Sequence, residues 1–156
     1  MENGRPSLGP LFAGLWLAVV ALGGAYGIAI GLVSLIGRSN RVAEFVNDIC
    51  TLSLLSTIWY GIGRCAILLP RWRPAPISVA YAPKRVLPAA VNFIAVSIGA
   101  APAGLLLAIA GREQPILQWW HWLALLIGLV GGHLAWLVAD RYVARIAMPS
   151  WFKSQI

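Results

Sequence analysis

Two histidines, His121 and His133, lie with Asp140 in an otherwise apolar run, QWWHWLALLIGLVGGHLAWLVAD, residues 118 to 140. Imidazole ligates metals and tetrapyrroles and moves protons near neutral pH. Twelve residues separate the pair, which on a helix is about 18 Å and about 120° of rotation, so they cannot grip one metal from the same side. Each alone could be an axial ligand to haem or (bacterio)chlorophyll. His133 has the better setting, with Gly131 and Gly132 before it and Trp136 after it. A paired-histidine haem needs ligands on facing helices, but the remaining segments carry no histidine and there is no C-x-x-C-H. The reading therefore expects no cofactor beyond structural lipids. His133, seven residues before Asp140 on the same face, is expected to hydrogen-bond across a bundle, with tetrapyrrole ligation as the alternative.

A second polar collection lies in EFVNDICTLSLLSTIWYGIGR, residues 44 to 64. At 100° per residue, Glu44, Asp48 and Thr51 share one helix face, flanked by Asn47. Ser53, Thr57, Tyr60 and Arg64 share roughly the opposite one. Carboxylates at i and i+4 repel, so Glu44 and Asp48 need a cation, a proton or water; Arg38 and Arg41 are near in sequence. They could open a polar path for a cation or proton, although Asp48 and Arg64 are about 24 Å apart along a helix and no acidic relay joins them. Arg64 is expected to pair with Asp140 as a latch, and Asn92 to make an interhelix hydrogen bond. Hydrolase, phosphate-loop and metal-cluster motifs are absent, so no catalytic residue is assigned and the chain is expected not to be an enzyme.

The elements that must position these groups follow from composition. Of the 156 residues, 60% are apolar and 11% charged, with mean hydropathy +0.78, against about 25% charged in a soluble domain. Four segments are each long enough to supply the roughly 20 apolar residues of a membrane span: residues 11–37, 42–69, 86–110 and 116–140. With no water in a bilayer core to satisfy peptide groups, such runs must be helical. The first is too long for a cleaved signal core and is read as a retained span. Cys50 and Cys65 fall in one helix, about 22 Å apart, and cannot pair with each other. The expectation is an all-α integral membrane protein forming a single domain over residues 1–156. It would be a four-transmembrane-helix bundle with a basic, Pro-rich cytoplasmic loop over residues 70–87 that runs extended.

Net charge is +7, yet its distribution speaks of topology rather than nucleic acid. Arg5, Arg71, Arg73, Lys84, Arg85, Arg141, Arg145 and Lys153 would share one side, against Arg38, Arg41 and Arg112 on the other. That asymmetry places both termini in the cytoplasm, most naturally of a bacterial inner membrane, with the basic strip meeting anionic headgroups. Trp119, Trp120 and Trp122 would mark the outer interface, and Trp72, Tyr142, Trp151 and Phe152 the inner one.

Small-residue stripes suggest close helix contacts. Gly23, Gly27 and Gly31 align at spacing four, as do Gly128 and Gly132, continued by Ala135 and Ala139. Residues 98–104, IGAAPAG, add a third small stretch, with Pro102 expected to kink its helix. Three such stripes are more than one four-helix bundle needs, so the first could dock another subunit or copy. In size and layout the chain is similar to the small membrane subunit of tripartite substrate transporters, a likeness that implies a place in a transport complex. The expected function is a non-enzymatic small membrane subunit packing against larger partners, in transport, respiration or photosynthesis, or against its own copies. The alternatives are an oligomeric transporter or channel with a polar path along the second helix, and a tetrapyrrole carrier through His133.

Overall fold

The computed structural model describes residues 8–36, 40–69, 83–110 and 119–143. Within them are four helices: α1 (Leu8–Ile36), α2 (Asn40–Leu68), α3 (Pro83–Ala110) and α4 (Trp119–Val143). All four are long and apolar enough to cross a membrane, as a multi-pass membrane protein requires. α3 begins inside the stretch expected to be extended loop. Pro83 opens it, and at the first helical position a missing N–H costs nothing because that donor has no intrahelical partner anyway. The helix also runs through Pro88 and Pro102; Pro102 leaves the Ile98 carbonyl without its helical donor. The rest of the basic loop, and Trp72, Trp151 and Phe152, lie outside the described residues.

The helices alternate in direction. Gly14 of α1 meets Ala89 and Ala90 near the start of α3, Gly61 of α2 meets Leu15 of α1, and Gly104 of α3 meets Ile49 near the start of α2. One end of the bundle, here the proximal end, thus gathers the starts of α1 and α3 and the ends of α2 and α4. α3 is central and packs on each of the others, whereas α1 packs on α2 and α3. The proximal core joins Leu11, Leu15 and Ala18 of α1 to Ala90, Phe93 and Val96 of α3 and Trp136 of α4.

Glycine decides how closely these helices approach. A methyl group built on Gly99 would overlap the Gly131 backbone and lie 2.6 Å from the Ala135 Cβ. One on Gly131 would overlap the Gly99 carbonyl in turn, so α3 and α4 cross backbone to backbone. Gly128 faces Ser56 and Ala103, and Gly132 faces Val96; both serve contacts within the bundle. The α1 glycines behave differently. A methyl on Gly23, Gly24, Gly27 or Gly31 meets nothing within 4 Å among the described residues. The reason is rotational: the buried α1 stripe is Leu11, Leu15, Ala18 and Leu22, and the glycines sit about 150° around the helix from it.

Candidate functional site

α2 and α4 run side by side in the same direction, both resting on α3, and their facing residues form a ladder toward the proximal end. Small groups make its first rung, where Gly128 lies under the Ser56 hydroxyl. One turn on, the Tyr60 hydroxyl and His133 Nδ1 share a hydrogen bond of 2.8 Å. A further turn on, the Arg64 guanidinium lies 4.6 Å from the centroid of the Trp136 ring and 5.8 Å from that of Tyr60. Trp136 is the hub. Its ring also packs edge-on to Phe93 at 4.9 Å and tilted to Tyr60 at 5.7 Å, contacts worth about 0.5–1.5 kcal/mol each beyond area burial.

The α2 spacing that builds this ladder is 53, 57, 60, 64, one helical face, joined by Ser56 about 60° away. Ser53, Ser56 and Thr57 are at most 1% exposed. Thr57 donates to the Ser53 carbonyl at 2.9 Å, whereas the Ser53 and Ser56 hydroxyl oxygens are buried without a hydrogen-bond partner. Such hydroxyls are small enough for close helix packing, as Ser56 shows against Gly128 of α4. On α3, Ser97 shares a 2.6 Å bond with the Tyr26 hydroxyl of α1.

The expected Arg64–Asp140 latch is not made as a direct ion pair among the described residues. Asp140 instead accepts from Asn92 Nδ2 at 3.3 Å, the interhelix bond foreseen for Asn92 but with an unforeseen partner. Arg64 lies on Trp136 because a guanidinium stacks on an indole face while keeping its in-plane donors. Asn92 Oδ1 is buried and unpartnered. His133 bonds across the bundle, as the sequence reading proposed, but to Tyr60 of α2. Gly131 and Gly132, part of the setting that favoured His133 as a tetrapyrrole ligand, are both taken up by contacts with α3.

Glu44, Asn47 and Asp48 lie at the distal end, with Glu44 and Asn47 exposed and Asp48 half-buried; Glu44 and Asp48 both engage neighbours. Nearby, Arg41, Val42, Phe45 and Ala108 border a shallow depression. The structure thus brings together Tyr60, Arg64, Asn92, His133 and Asp140, and leaves the acidic pair apart from them. Cys50 and Cys65 are free thiols. Among the described residues no three of His, Cys, Asp and Glu are grouped as a metal site. The groups missed in the sequence were Gly99 and Gly131 as a pair, Trp136 as the seat of Arg64, and the Tyr26–Ser97 bond. No family model, curated protein or solved structure matches the chain.

Proposed function

We propose that this chain is a multi-pass protein of a bacterial cytoplasmic membrane, both termini inside, acting as a non-enzymatic subunit that packs against larger membrane partners or its own copies. Membrane placement rests on the four long apolar helices and orientation on the lopsided basic residues. One observation carries the subunit role: the glycine face of α1. In the proximal half of that helix the outward side is bulky, with Trp16 and Val20 exposed. In the distal half it is bare backbone at Gly23, Gly27 and Gly31. Lipid tails gain little from such a groove, whereas another helix gains close van der Waals contact there.

Purification in mild detergent followed by mass measurement tests this. The chain is expected with a stoichiometric partner or as an oligomer, and Gly27→Leu is expected to release it while helix content and thermal stability stay unchanged. A monomeric wild-type chain, or an intact complex in Gly27→Leu, refutes the reading. A second reading, the tetrapyrrole carrier, draws support from the Tyr60 bond, which fixes the imidazole by Nδ1 and leaves Nε2 without a partner among the described residues. Such orientation by an outer partner is usual for ligating histidines. An absorption band lost in His133→Ala would establish it. For the channel reading, the measurement is ion flux lost in Asp48→Asn with assembly intact.

A further inference from the structure

The proximal end of the α2–α4 contact, here called its mouth, carries two opposite charges that no direct ion pair joins among the described residues. Arg64 lies on the Trp136 ring at 4.6 Å, with no carboxylate bonded to it among the described residues. Stacking uses the faces of a guanidinium and leaves its five N–H donors in the plane. Asp140 lies one turn beyond Trp136 on the same face of α4, where residues at i and i+4 have Cβ atoms about 5–6 Å apart. Its Oδ1 takes one long bond from Asn92, and the residue is exposed. Trp136 therefore links the two: Arg64 lies on its ring and Asp140 follows it by one turn. Charged side chains at the edge of a bilayer, each held in place by a neighbour rather than by one another, form a template for a ligand carrying both charges.

We propose that this mouth binds the headgroup of a zwitterionic aminophospholipid of the phosphatidylethanolamine kind, its phosphate on Arg64 and its primary ammonium on Asp140. Charge complementarity selects the occupant. An anionic headgroup would satisfy Arg64 but bring no cation to the Asp140 carboxylate. A quaternary ammonium has no N–H to donate to that carboxylate. The lipid tails have a path, because Leu126, Val130, Leu134 and Leu137 form an exposed stripe along α4 from the mouth toward the distal end. The inference rests on the membrane placement proposed above but not on the glycine face, which is on another helix.

The test is lipid add-back to the detergent-purified, delipidated full chain, read by native mass spectrometry. The lipids are phosphatidylethanolamine, phosphatidylcholine and phosphatidylglycerol with identical acyl chains. Phosphatidylethanolamine is expected to be retained best. Arg64→Gln is expected to lower retention of all three, for phosphatidylethanolamine by about tenfold, the scale of one charge-assisted bond. Asp140→Asn keeps the shape and the Asn92 bond, and is expected to bring phosphatidylethanolamine down to the phosphatidylcholine level without changing the latter. Equal retention of the two zwitterionic lipids by the unchanged chain overturns the proposal, as does preference for phosphatidylglycerol or unchanged binding in Arg64→Gln. Equal binding of water-soluble glycerophosphoethanolamine would show a site for a free phosphate ester, and the lipid assignment would fall. Gly27→Leu should retain lipid normally, and recovery of the chain without detergent would remove the membrane reading before any lipid is added. The two failures are therefore separable.

Discussion

Replacing Gly99 by alanine tests the α3–α4 crossing most directly. The added methyl would overlap the Gly131 backbone and lie 2.6 Å from the Ala135 Cβ. Ordinary van der Waals contact begins near 3.4 Å, so the two helices must separate locally by at least about 0.8 Å, the shortfall at Ala135, and by more at the closer Gly131 carbonyl. Backbone cannot rotate out of the way as a flexible side chain can. Overpacking of this kind typically costs about 1–3 kcal/mol. The separation also strains the Asn92–Asp140 bond, already 3.3 Å long, whose loss adds about 0.6 kcal/mol on the scale of membrane interhelix bonds. A total near 2–3 kcal/mol is therefore expected for Gly99→Ala. Gly27→Ala is the matched control, because its methyl meets open space and it should cost nothing measurable. The assay is reversible unfolding in mixed micelles of increasing SDS fraction, followed by helical circular dichroism. Gly99→Ala/Gly131→Ala should cost less than the sum of the two single changes, since both methyls open one crossing. Equal stability of Gly99→Ala and Gly27→Ala would refute the close-crossing argument outright.

Three further changes separate the polar contacts by sign. Tyr60→Phe leaves His133 Nδ1 without its partner and should destabilise by about 0.5–1.5 kcal/mol in the same unfolding assay; no change would mean that the bond contributes nothing. Tyr26→Phe removes the bond from α1 to Ser97. It should cost about 0.6 kcal/mol globally but speed amide hydrogen exchange selectively beyond Tyr26 on α1, where little else is buried. Uniform or unchanged exchange would argue against that tether. Ser56→Ala has the opposite expectation. Its hydroxyl is buried without a partner, so its removal should be neutral or stabilising by up to about 1 kcal/mol, and a clear loss of stability would show that the hydroxyl is satisfied after all.

The helices themselves were legible because length and apolarity leave a chain like this few alternatives. Their ends were less so. The start of α3 hid behind Pro83 and Pro88: proline is neutral at a first turn, where Pro83 stands, and Pro88, inside the helix, leaves only the Lys84 carbonyl without its helical donor. The polar face of α2 was legible for the same reason as the helices: Ser53, Thr57, Tyr60 and Arg64 repeat at helical spacing. Ser56 fell outside it because a wheel gives angle, not the width of the covered arc. That arc is wide here, with α3 and α4 both packed on α2.

Which glycine does what was not legible, and the reason is physical. Spacing four aligns small residues on one face whether that face meets a helix or open surroundings. Gly23, Gly27 and Gly31 have the cleaner pattern, yet Gly99 and Gly131, in no such series together, make the tightest crossing. A crossing is a property of two helices in register, and a single-helix pattern contains no term for the partner. The same holds for charge. Arg64 and Asp140 are the obvious pair by depth, but depth says nothing about azimuth: Arg64 lies against Trp136, and Asp140 accepts from Asn92. A cation on a ring and an acid on an amide leave both charges half satisfied at the proximal ends of α2 and α4. In a low-dielectric surrounding, half satisfied is costly, and that cost is what a ligand of matched charges would remove.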